Sequence, residues 1–295
     1  ISAGLAAAAA GTGTTLGAAS VTSQRFVWIM PDEYTEAQPL ALQPYVHLEG
    51  AGGASQSAVL IGSATYSAGS GYLVLRNLRF SGSTITVTPT NGAALTIIFD
   101  NCTFEDAKWS LATPGGDQIT RVTVVFNGCT GNFDSMGSVV GAGDSLTHYF
   151  DGLPSTGQGN FAALRGISFD STPIYTGAGS LTVSILGGQR LLANGAGGPI
   201  LRFEGASGGS VTTEDCLLFT GNIQASVFGS FSVGPVAWVC RSGTKLGTTP
   251  RSYWSTTGPA SFVGGQVEIL DSTINDASAP LDPVAGGTVT ATPYP

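Results

Sequence analysis

Leu73-Val74-Leu75-Arg76-Asn77-Leu78, Ile97-Ile98-Phe99-Asp100-Asn101-Cys102 and Val124-Val125-Phe126-Asn127-Gly128-Cys129 spell one pattern three times. Two apolar residues alternate with two others. A small pivot follows (Gly, Asn, Asp or Ser), then an inward small or apolar residue. The same pattern opens at Val46-His47-Leu48-Glu49-Gly50 and recurs at Ala162-Ala163-Leu164-Arg165-Gly166-Ile167, Val183-Ser184-Ile185-Leu186-Gly187 and Val211-Thr212-Thr213-Glu214-Asp215-Cys216. Trp238-Val239-Cys240-Arg241-Ser242 and Val267-Glu268-Ile269-Leu270-Asp271 complete the series. The pivots recur at a mean spacing of about 28 residues, inside the range that marks solenoids. Alternation with period two before each pivot predicts a strand.

The pivot composition has a physical reason. A strand that bends sharply into the next needs a left-handed residue, and Gly, Asn and Asp adopt that conformation most readily. Stacking such coils aligns Leu75, Phe99 and Phe126 in one column and Cys102 with Cys129 in another. The cysteines are therefore expected as small buried thiols, with a Cys102–Cys129 disulfide between adjacent coils as the alternative. They form no CxxC pair, and the chain has only two histidines, so no metal site and no cofactor is expected.

Composition narrows the function classes. The chain has 295 residues, of which 42% are hydrophobic, enough for a sizeable core. Charged residues make up 10%, and only Lys108 and Lys245 are lysines, which argues against long surface helices. A net charge of −8 argues against a nucleic-acid-binding surface. No apolar run reaches the roughly 18 residues of a membrane span, so no membrane insertion is expected. Ile1–Ala10 lacks the Met and basic segment of a signal peptide. It is read as a short helix at a domain start, in a chain that is a mature or excised piece of something longer.

These features together resemble the right-handed parallel β-helix of the pectin-lyase-like superfamily. Ile1 to Gly11 is similar to that superfamily's cap helix. Phe26-Val27-Trp28-Ile29-Met30-Pro31-Asp32-Glu33-Tyr34-Thr35-Glu36 resembles the opening of pectinesterase-like β-helices, with Asp32 where a Gly usually stands, and Tyr45 to Gly52 resembles their first coil. The resemblance implies an all-β, single-stranded right-handed parallel β-helix of about nine coils with an N-terminal cap helix. The expected divisions are 1–49 for the cap and first strands, 50–275 for the β-helix and 276–295 for an extended tail. A cap would keep the open solenoid end from pairing with other chains.

The catalytic motifs of pectinesterases and pectate lyases are absent, and no catalytic residue is assigned. Gly143-Asp144-Ser145-Leu146-Thr147 spells the nucleophile block of GDSL-type esterases, but the only downstream histidine is His148. Asp100 with Glu105 or Asp106, and Asp134 with Asp144 or Asp151, are the carboxylate pairs a glycan hydrolase would need. His47 is read as an outward surface residue. The long pivot interval between Gly128 and Gly166 is read as a loop from Phe133 to Gln158. It would present Asp144, His148, Tyr149 and Asp151 as a binding face. Arg251, Tyr253 and Trp254 form a second candidate cluster.

The function expected is a structural or adhesive module of a phage surface appendage: a tail fibre, spike or capsid-decoration protein. It would stand on the virion surface or outside the cell as a homotrimer, against other virion proteins and host polysaccharide. A polysaccharide depolymerase and a bacterial extracellular adhesin are the alternatives.

Overall fold

The computed structural model describes residues 1–11, 18–35, 39–52, 58–151, 166–171 and 174–186 with their side chains, Val211 and Thr212, and the backbones of further strands as far as Thr292. The chain is a parallel β-helix. One eleven-stranded sheet runs from Arg25–Ile29 through Val46–Gly50, Gly71–Arg76, Ala94–Asp100, Arg121–Asn127, Ser145–Asp151 and Ser180–Leu186 to Thr288–Thr292. A second sheet stacks strands such as Ala58–Tyr66, Leu78–Val87, Thr103–Ala112 and Thr130–Val139. Neighbours in both sheets are parallel, because each coil returns to the same address one turn further on. Among the described residues about six turns are complete, fewer than the nine coils expected. Within 276–295, Thr288–Thr292 extends the ladder by pairing with Gln266–Leu270.

The register checks the repeat residue by residue. Leu48, Leu75, Phe99 and Phe126 stand opposite one another in successive strands. Ile185, Thr213, Cys240 and Ile269 continue the column. One expected rung is displaced. The strand between Phe126 and Ile185 carries Phe150, not Leu164. Gly166 instead opens a strand of the second sheet, with Ile167 opposite Gly131. The rung Leu146-Thr147-His148-Tyr149-Phe150-Asp151 escapes the pattern because a histidine fills the inward position taken by Ile97 and Val124 elsewhere.

Inward side chains form two aromatic columns. Phe99, Phe126 and Phe150 stack with centroids 5.2 and 5.1 Å apart. Phe80, Phe104, Phe133 and Phe169 form the facing column, at 5.5, 4.4 and 6.3 Å. These rings are fully buried, and burying each contributes roughly 2–3 kcal/mol. The turn logic holds at Asn77, Asn101 and Gly128, whose φ values are 54°, 52° and 59°. Gly50 is glycine for a different reason: a Cβ there would overlap the carbonyl oxygen of Asn77 on the next coil.

Cys102 and Cys129 are free, buried thiols. They donate to the carbonyls of Leu75 at 3.1 Å and Phe99 at 3.3 Å, so the column reading holds and the disulfide does not. Burial pushes the Cys129 thiol well above its ordinary pKa. The helix Ser2–Ala10 ends at Gly11 (φ 70°) and buries Leu5 in the core at the solenoid's end, as a cap should.

Candidate functional site

Alternation fixes what each strand of the first sheet shows to solvent. In Ser145–Asp151, Leu146, His148 and Phe150 point inward and are buried, while Ser145, Thr147, Tyr149 and Asp151 point outward and are half-buried. The expected loop from Phe133 is therefore strand up to Val139, with register shifts on either side of Phe133, and strand again from Ser145 to Asp151. Only Gly128 and Cys129 separate the strand ending at Asn127 from the one starting at Thr130, whereas fourteen residues separate Asp151 from Gly166 one coil on. The extra residues of the long interval thus fall at 152–165, outside the described residues.

This placement divides the expected binding face. Asp144 is buried: its carboxylate accepts the N–H groups of Gly115 and Thr120, both at 2.8 Å. It ties the turn of one coil to that of the next and is closed to a ligand. His148 is fully buried, with Nδ1 3.0 Å from the Tyr175 hydroxyl and its ring edge-on to Trp109, Phe126 and Phe150. Desolvation lowers its pKa to about 3, so it is a neutral core residue. Tyr149 and Asp151 remain on the surface, and burial raises the pKa of Asp151. Arg251 lies outside the described residues. Tyr253 and Trp254 lie on the strand Ser252–Thr256, with their side chains outside the description.

The catalytic alternatives also meet geometry. Ser145 and His148 project from opposite faces of one strand, so the serine–base pair of an esterase cannot form between them. Among the candidate carboxylates, Asp100 receives the Arg76 Nε–H at 2.7 Å and the Asn127 amide at 2.9 Å. Glu105 pairs with Arg79, Asp106 accepts the Asn132 amide at 2.8 Å, and Asp134 pairs with Lys108 at 3.3 Å. Each carboxylate is engaged with a neighbouring coil. Among the described residues, no three His, Cys, Asp or Glu side chains cluster as a metal site. No helix among them is long and apolar enough to cross a membrane.

The outer face of the first sheet is the surface these residues share. One row runs Trp28, Glu49, Arg76, Asp100, Asn127, Asp151. The neighbouring row includes Ile98, Val125 and Tyr149. At the capped end, Phe26, Trp28 and Met30 are each more than half exposed. In the sequence this segment stands out by its resemblance to a β-helix opening. Its large outward side chains on an alternating strand were the available signal. His47, read as outward and exposed, is 1% exposed: Phe26 and Tyr72 enclose its ring.

What fold and site define is a β-helical rod whose charged outer side chains bridge coils. Among solved structures, the chain is similar to the A-module of mannuronan C-5 epimerase AlgE4 from Azotobacter vinelandii. Identity is 14%, the match covers 98% of this chain and 94% of that one, and the TM-score is 0.30. No protein-family model matches the chain, and no curated protein does.

Proposed function

We propose that this chain is the β-helical shaft of a phage surface appendage, a tail fibre, spike or capsid-decoration protein, that adheres to a host-surface glycan. The observation that carries this reading is the set of side-chain ladders along the rod axis. Asn101 donates to Asn77 at 2.8 Å, Arg76 bridges to Asp100, Asn127 joins Asp100, and Asn132 links Asp106 with Asp170 at 2.8 and 3.0 Å. These bonds add axial ties to the backbone ladder, which suits an element that holds its shape under load. Surface ion pairs alone contribute little, so the effect comes from their repetition from coil to coil.

The adhesive surface in this reading is the outer face of the first sheet. Trp28 and Phe26 offer aromatic faces for sugar C–H groups, and Tyr149 with Asp151 offers a second contact five rungs away, roughly 24 Å at about 4.8 Å per strand. Three copies of the chain would assemble on the virion, beside other virion proteins.

The test is incubation with purified capsular and lipopolysaccharide glycans. Binding without cleavage, weakened roughly tenfold by Trp28→Ala or Tyr149→Ala, supports the reading. Release of reducing ends would replace it with a depolymerase. Native mass spectrometry should give a trimer, and a monomer at micromolar concentration contradicts that assembly.

A further inference from the structure

His47 ties three successive coils together, and its tie to the third depends on the ring being neutral. The backbone N–H of Val74, on the third strand of the first sheet, donates to Nδ1 at 3.0 Å. A main-chain N–H can only donate, so Nδ1 holds a lone pair and the ring proton sits on Nε2. Nε2 then donates to the side-chain oxygen of Gln24, just before the first strand, at 2.8 Å. Phe26 lies 4.8 Å from the ring on the first coil and Tyr72 lies 5.5 Å away on the third.

The ladder explains why a side chain is needed. Tyr45 sits at φ 61° and kinks the chain where the second strand begins. The ladder register between second and third strands starts only at Leu48 and Leu75. Ahead of that point the Val74 N–H goes to the imidazole, which stands in for a strand carbonyl.

The groups facing the ring disfavour a second proton. Burial lowers the pKa of His47, and the like charge of Arg76 on the third strand adds to the effect. Glu49, on the same strand as His47, and Asp100, one coil further, are both drawn to Arg76 at 4.0 and 2.7 Å. Arg25 on the first strand stands opposite Val46, the residue before His47.

We propose that His47 is an acid-released latch on the N-terminal cap. A proton on Nδ1 would confront the Val74 N–H, remove that bond and place a cation beside Arg76. The first two coils, which the Gln24 bond and their backbone ladder keep together, then lose their side-chain tie to the third. Opening there would uncover the edge of Gly71–Arg76, an unpaired strand that other chains can join. The sign follows from linkage: the closed form favours the neutral ring, so the latch is fully closed above the ordinary histidine pKa of 6.5 and weakens as pH falls below it.

Hydrogen exchange read by mass spectrometry on the intact chain tests this, with rates corrected for intrinsic pH dependence. Protection in peptides covering 20–50 and 71–76 should fall roughly tenfold per pH unit just below 6.5, while 94–127 stays unchanged over the same range. His47→Gln should remove that local pH dependence. Unchanged protection at 20–50 in the natural chain, or an equal fall in the variant, overturns the latch. Should the variant fail to fold, imidazole NMR of the natural chain decides. The chain has two histidines, and titration of the His47 signal in step with a shift of the Val74 amide supports the proposal. Titration of His47 with the Val74 amide unmoved refutes it.

Discussion

His148 sets a measurable acid sensitivity in the core. Its ring is completely enclosed, and burial lowers its pKa from 6.5 to about 3. A base whose folded pKa is depressed binds fewer protons folded than unfolded. Its contribution is therefore fully present above about pH 6.5 and is lost as pH falls toward the folded value. For one site with those two pKa values, the loss between pH 7 and pH 4 is about 3 kcal/mol, at about 1.4 kcal/mol per unit. That is a large share of an ordinary domain's stability. The perturbation is His148→Leu, which removes the titrating ring from a column it shares with Val124 and Val183. Urea unfolding at pH 7, 5 and 4 should show the natural chain losing about 3 kcal/mol more than the variant over that interval. His47 and the carboxylates act on both proteins alike and cancel in the difference. Parallel pH profiles for the two proteins would refute a buried, neutral His148.

Three further perturbations follow from the same geometry. Gly131→Ala should destabilise by several kcal/mol in thermal or urea unfolding, because its Cβ would overlap the Phe104 carbonyl oxygen at a φ of 110°. Asp144→Ala strands the N–H groups of Gly115 and Thr120 and should cost about 2–4 kcal/mol, with faster amide exchange at both residues. Asp151→Asn should stabilise the chain at pH 7, because burial raises the carboxyl's pKa and the ionised form is the disfavoured one. The gain should vanish below the ordinary carboxylate range near 3.8, and a gain that persists in acid contradicts the assignment.

The architecture was legible because solenoid order is written at fixed intervals. The Leu75–Phe99–Phe126 column and the Asn77, Asn101 and Gly128 turns follow from alternation and backbone sterics alone. The fold became illegible where a polar residue did an apolar residue's work. His148 occupies a core column as a neutral ring bonded to Tyr175, a partner 27 residues away that no local pattern reveals. Without an apolar residue at that position the rung from Leu146 to Asp151 reads as loop, which places Asp144 and His148 on the surface. His47 failed for a related reason. Strand alternation does place it outward, but the side chains of adjacent coils cover that position. The outer row from Trp28 to Asp151 was hidden because its members lie far apart in sequence and meet only through register.

The winding itself can be measured as a distance. Trp28 and Leu186 occupy one outer row, six strand spacings apart through Glu49, Arg76, Asp100, Asn127 and Asp151. Spin labels at Trp28→Cys and Leu186→Cys, in a background with the native cysteines replaced, should give a narrow double electron–electron resonance distribution. Its centre should lie near 29 Å, at about 4.8 Å per strand, with allowance for the label arms. A broad distribution, or one centred far from that value, would contradict the stacked-coil account.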